Sequence, residues 1–180
     1  MTAPTNGQHP TPPTVAGMCP TCAGEQVRLY RPGAPTDRPA ITSPEAAGDL
    51  LVPLMQHLDR EHCITLNLDT KHRLIATTTI AIGTVDHTLI SPRELFRDAL
   101  THGAAALVVA HNHPSGDPEP SPNDRHITRQ VAKAGQLIGV EVLDHLVIGH
   151  DRWISLARRG LLPRQPGDDL NLDWTPPVRQ

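Results

Sequence analysis

Aromatic residues are almost missing from this chain: two Trp, one Tyr and one Phe in 180 residues. Any core must therefore be built from Leu, Ile, Val and Ala. Cysteine is equally sparse, and three residues, an odd number, do not make a disulfide scaffold. No apolar run approaches the roughly 18 residues that a membrane-spanning helix needs. The N-terminus lacks a basic start followed by an apolar segment, so no secretory signal is expected. An excess of positive charge is also absent: the net charge is −3 and the pI near 6.4. Electrostatics thus gives no general reason to bind nucleic acid. These absences leave a soluble cytoplasmic protein with one domain and tails as the expectation.

What the chain does contain is unevenly spread. Residues 1–41 are rich in Pro, Thr and Gly and have few core candidates. Such a segment cannot bury enough surface to offset its ordering entropy, so disorder is predicted there. Its one chemical feature is Cys19-Pro-Thr-Cys22, read as half of a metal knuckle, a redox pair or an inert tail. A domain is expected over 42–162, followed by a flexible tail over 163–180.

Within that domain, Ser43-Pro44 opens a helix whose Leu50, Leu51, Leu54 and Leu58 recur at helical spacing. Pro53 should kink or split it. Alternation over Glu61–Asp69 predicts a strand with Ile64, Leu66 and Leu68 on one face, and Leu74–Ile82 its hairpin partner. Ser91-Pro92 starts a second helix running to about His102, with Glu94 completing a capping box with Ser91. An unbroken apolar run, Ala104 to Ala110, suits a strand buried on both faces. A third helix begins at Ser121-Pro122, with Ile127, Val131, Ala134 and Leu137 or Ile138 facing inward. Strands follow at Val140–Leu143, Leu146–Ile148 and Trp153–Leu156.

The buried run delivers His111-Asn-His113, and residues two apart on a strand project to the same side. Ten residues separate His113 from Asp124, along a path stiffened by Pro114, Pro118, Pro120 and Pro122 and turned at Gly116. Two imidazoles and a carboxylate are three ligands of a catalytic zinc, the fourth position being left for water. Manganese or iron remains open on residue types alone. Asp124 also suits a helix first turn, where it completes an S-x-x-D cap with Ser121.

The spacing His-x-His, seven residues, Ser121, two residues, Asp124 is similar to the metal motif of the JAB/MPN (JAMM) metalloprotease superfamily. The longer string HNHPSGDPEPSPND, with PRE before it and VLDHLVIG after it, resembles the RadC branch. That resemblance covers roughly 42–162. It implies an α/β fold of the MPN/JAB (cytidine-deaminase-like) type, a mixed curved sheet flanked by helices. It implies zinc held by His111, His113 and Asp124, and hydrolysis of a peptide or isopeptide bond in a peptide or protein substrate. Ser121 would help hold the oxyanion, with its N-cap role an equal alternative. Glu61, at the strand that follows the first helix, would be the general base, chosen over Glu94. His145 is read as an outer partner of the site or as a buried polar residue at a turn. The remaining histidines (His57, His62, His72, His87, His102, His126 and His150) are expected to be solvated.

The competing reading is a non-catalytic, metal-stabilised module associated with DNA repair or a protein partner. Residues 1–41 hold no GxG-type hairpin of the kind RadC-like proteins often carry for DNA, which weakens a DNA role. A metal-dependent nuclease would need a basic groove, and the composition offers none. Oligomeric state is not readable.

Overall fold

The strand that carries His111 and leads into His113 lies at the centre of the sheet, and its burial on both faces sets the architecture. The computed structural model describes residues 37–83 and 90–163. Cys19, Cys22, His87 and the C-terminal tail lie outside the described residues. In chain order the elements are α1 (Pro44–Met55), β1 (His62–Leu68), β2 (Leu74–Ile82), α2 (Pro92–Thr101), β3 (Ala106–Asn112), α3 (Pro122–Ile138), β4 (Glu141–Ile148) and β5 (Trp153–Ser155). The five strands form one mixed sheet in the order β2-β1-β3-β4-β5. Only β3 and β4 run parallel, connected through α3; every other neighbour is antiparallel. This is the expected α/β class, a mixed sheet flanked by helices.

Alternation along β3 divides the core. Ala106, Val108 and Ala110 pack with Ala47, Leu51 and Met55 of α1 on one face. Leu107 and Val109 pack with Leu95, Phe96 and Ala99 of α2 and Val131 of α3 on the other. All seven residues of β3 are buried, as a strand covered on both faces requires. Cys63 of β1 faces the second cluster, and burial pushes its thiol up to about 12, which leaves it inert.

Several expectations need correction. Pro53 does not split α1, because it lies in the last turn and the helix ends two residues later. Leu54 is half exposed. The Ser91–Glu94 capping box does not form: Ser91 makes no side-chain cap, and Glu94 pairs instead with Arg97 at 2.5 Å. In α3 the buried face is Asp124, Thr128, Val131, Ala132 and Gly135, while Leu137 and Ile138 are exposed. His72 and His102 are buried, not solvated.

The largest correction falls on β4. It is one strand through Asp144-His145, not two strands with a turn. Its pairing with β3 jumps from Leu107↔Val142 to Val108↔Asp144, leaving Leu143 as an extra residue. That bulge changes which side chains face which layer, so the hydrophobic alternation breaks where the strand does not. As a result His145, opposite Val109, faces α3, whereas Leu146 and Ile148 alternate on from it.

Asp144 supports this arrangement from the buried interior. Its carboxylate accepts from the His145 N–H at 2.7 Å, the Ala157 N–H at 2.9 Å and the Ser155 hydroxyl. Burial pushes its pKa up to about 6, against the pull of those donors. Alanine at 144 would orphan all three, and each stranded buried donor costs about 1–3 kcal/mol. Asp144→Ala is expected to destabilise the domain by roughly 3 kcal/mol or more. Thermal unfolding should then occur about 10 °C lower. A shift under 2 °C would mean the 155–158 turn holds without Asp144.

Candidate metal centre

The site forms where the carboxyl end of β3, the first turn of α3 and the start of β1 meet. His111 is the sixth residue of β3 and lies inside the strand, not beyond its end, because the strand runs on to Asn112 past the apolar run Ala104–Ala110. His113 follows its last residue and still donates its backbone N–H to Ile148 at the end of β4, at 2.8 Å. The two side chains share a side, as residues two apart must. Their Nε2 atoms lie 3.0 Å apart.

Asp124 reaches them from α3. The loop between turns at Gly116, where φ is +81°. It is held against the β4–β5 turn by the His150 N–H, which donates to the Gly116 carbonyl at 3.1 Å. A Cβ on Gly149 would stand 2.3 Å from that carbonyl oxygen, so only glycine allows the approach. Half-exposed ion pairs, Glu119 with Arg159 and Arg125, line the same loop.

Asp124 divides its work between its two oxygens. Oδ2 accepts from the Ser121 N–H and the Ser121 hydroxyl, both at 2.7 Å, while the Asp124 N–H donates to Ser121 Oγ at 3.1 Å. This is a complete capping box. Oδ1 is turned to His111 Nε2 at 3.3 Å, and Oδ2 lies 3.5 Å from His113 Nε2. Cap and ligand roles are therefore compatible, because they fall mainly on different oxygens. Burial alone would raise the Asp124 pKa. The imidazoles of His111 and His113 beside it outweigh that and hold the carboxyl well below the usual carboxylate range.

The three groups suit a metal ion. Two ligands of a tetrahedral zinc with bonds of about 2.0–2.1 Å stand about 3.3 Å apart. The two Nε2 atoms, 3.0 Å apart, stand close to that value, and each faces a different oxygen of Asp124, at 3.3 and 3.5 Å; with one donor atom taken from each residue, all three lie within 4.8 Å of one another. Among the described residues, His111, His113 and Asp124 form the metal-competent cluster of histidine and acid. His113 Nδ1–H donates to the Asp117 carbonyl at 2.8 Å, which leaves its Nε2 lone pair turned inward. The pKa of His113 is raised, chiefly by its bond to Asp124 and against burial. The pocket thus favours positive charge.

Glu61 lies just before β1, half-buried. Cys63 pairs with His111 in the antiparallel ladder, so the register brings Glu61 opposite His113. Its negative charge is among the influences that raise the His113 pKa. Glu94, on α2, is tied to Arg97. Of the two candidate bases, Glu61 is the one near the ligands.

Two residues of the site carry weight that sequence reasoning did not assign. Asn112, between the two ligand histidines, is buried and grips the backbone on both sides of Glu61. Its amide donates to the Arg60 carbonyl at 2.9 Å, and its oxygen accepts from the His62 N–H at 2.8 Å. An amide can serve both a donor and an acceptor, which a carboxylate cannot; an Asn set between the two ligand histidines was the available signal. The second is Thr128, one helical turn after Asp124. His145 stands between Thr128 and His111, in the outer position that was one of its two sequence readings. Its burial holds its pKa well below the ordinary histidine value.

Comparison with known proteins follows the same residues. Residues 41–161 match the model described as the RadC-like JAB domain. A "UPF0758 protein" of Desulfitobacterium hafniense is 43% identical over 128 residues, covering 71% of this chain and 56% of the relative. A "UPF0758 protein" of Chloroflexus aurantiacus is 46% identical over 134 residues, covering 74% and 58%. One of Symbiobacterium thermophilum is 42% identical over 147 residues, covering 82% and 63%. The chain thus spans a little over half the length of these relatives. Among the described residues, no helix is long and apolar enough to cross a membrane.

Proposed function

The chain belongs to the RadC-like JAB domain family, and from that premise we propose that it is a zinc-dependent hydrolase of a peptide or isopeptide bond. JAB/MPN domains include metalloproteases, but the names of its relatives carry no activity. The observation that carries the reading is the ligand cluster: two imidazole nitrogens and a carboxylate oxygen within 4.8 Å of one another, with a glutamate alongside.

His111, His113 and Asp124 would hold the ion. A bound divalent ion would polarise the scissile carbonyl and lower the pKa of a water beside it. Glu61 would accept the proton of the attacking water and pass it to the leaving amine. Asn112 keeps the backbone on both sides of Glu61 against the end of β3, which fixes the point from which the carboxylate reaches. Ser121 is assigned the oxyanion contact, which requires its hydroxyl to turn from Asp124 Oδ2 toward the substrate oxygen. A donor so placed is worth a few kcal/mol. The absence of a cationic excess favours a protein over a nucleic-acid substrate.

The test is amine release from a panel of peptides and isopeptide-linked peptides by the full chain loaded with one equivalent of zinc. Cleavage that stops on chelation and returns with zinc is expected. A zinc-loaded chain that releases no amine from any member would overturn the hydrolase and leave the metal-stabilised interaction module.

A further inference from the structure

The proton positions around the ligands can be read from two backbone carbonyls, because a carbonyl accepts and never donates. The first is Asp124 C=O. Thr128 Oγ1 lies 2.5 Å from it and must donate its only proton there. Thr128 Oγ1 is also 2.7 Å from His145 Nδ1, and with its proton spent it can only accept. His145 is therefore protonated at Nδ1 and bare at Nε2. That Nε2 is 2.8 Å from His111 Nδ1, which must in turn be the donor. His111 is then bare at Nε2, the atom facing His113 and Asp124.

The second carbonyl, of Asp117, fixes His113 in the same sense, as described above. Both ligand histidines thus present lone pairs to one point, 3.0 Å apart. Two lone pairs at that distance repel unless a cation or a proton lies between them. His111, Thr128 and His145 are all nearly inaccessible to water, so no solvent molecule can substitute for a missing partner.

We propose that His145 and Thr128 are positioning residues for the metal site, forming with His111 a hydrogen-bonded chain that runs from the main chain of one ligand, Asp124, to the ring of another. The chain presets the tautomer and orientation of His111, so that its Nε2 is ready for the ion before the ion arrives. It also couples the two ligands: a shift of the first turn of α3 moves Thr128, and with it the acceptor that aims His111. The bulge at Leu143 is what turns His145 to this face of the sheet. This inference rests on the metal-site reading and extends it to residues one and two hydrogen bonds beyond the ligand His111.

Two measurements test it on the full chain. In the zinc-loaded protein, long-range nitrogen–proton correlation spectra of the histidine rings should place the proton on Nδ1 of both His111 and His145. A proton on Nε2 of His145 would overturn the proposal without any variant. For zinc affinity, His145→Phe keeps the ring and removes the acceptor, and a loss of about 10- to 100-fold is expected. His145→Gln, whose amide oxygen can reach the Nε2 position, should recover most of it. Thr128→Val should weaken zinc binding and Thr128→Ser restore it. Unchanged affinity in His145→Phe, with wild type binding zinc, would sink the chain and leave the hydrolase reading standing. Failure of wild type to bind zinc would overturn both.

Discussion

Replacing His113 with alanine is expected to strip the protein of its metal. A four-ligand structural zinc is bound by about 10–16 kcal/mol, roughly 3 kcal/mol per ligand, so losing one should lower affinity by about a hundredfold or more. His113 is the ligand to change, because its side chain is 15% exposed and that of His111 only 1%. Truncating His111 would also open a cavity and break its bond to His145. The wild type should hold one zinc per chain, by emission spectroscopy after dialysis, and His113→Ala should hold a small fraction of that. The pH dependence follows from the same pair. Bonding to Asp124 raises the His113 pKa from its ordinary 6.5. The proton thus stabilises the metal-free fold below about 6.5, and this contribution is lost as pH rises through the raised value. Zinc competes for the same nitrogen, so its affinity should climb over that window. Zinc retained at full strength in His113→Ala would locate the ion elsewhere, with Cys19 and Cys22 the next pair to replace.

The elements with local signatures were legible in the sequence. The second hairpin strand, Leu74–Ile82, has the bounds that its alternation predicted, and the proline-led starts of α1, α2 and α3 fall where Ser-Pro steps placed them. The ligand cluster was legible too, since a two-residue period and a stiff loop are both sequence properties. What was not legible depended on tertiary register. One extra residue in β4 hid a continuous strand behind broken alternation and made Asp144-His145 resemble a turn. The inward side of α3 was misjudged at its end, where Leu137 and Ile138 have helical spacing but lie past the sheet that covers Val131. Ser91 and Glu94 fit a capping box by spacing, yet Glu94 found Arg97 one turn away. Nor could spacing reveal that Asn112 bridges fifty residues back to Arg60 and His62. Such contacts are decided by which strands become neighbours.

Glu61→Gln is the second large effect expected, now on rate instead of binding. Glutamine keeps the size and hydrogen-bonding reach of the side chain but cannot take up a proton, so it isolates proton transfer from shape. General-base assistance contributes about 10²- to 10⁴-fold, and kcat on any substrate found should fall by that factor. Substrate KM and zinc content should stay close to wild type, because Glu61 is not among the three clustered ligands. Glu94→Gln, on the ion-paired surface of α2, should change kcat less than about twofold, since exposed ion pairs are worth little. Asn112→Asp provides an intermediate case. A carboxylate there can still accept from the His62 N–H, but it cannot donate to the Arg60 carbonyl and adds repulsion between two oxygens. Its kcat should fall between wild type and Glu61→Gln with metal retained, because the base would be present but less firmly aimed. If Glu61→Gln turns over at the wild-type rate while Glu94→Gln is inactive, the assignment of the base is wrong. The register that sets Glu61 opposite His113 would then be structural only.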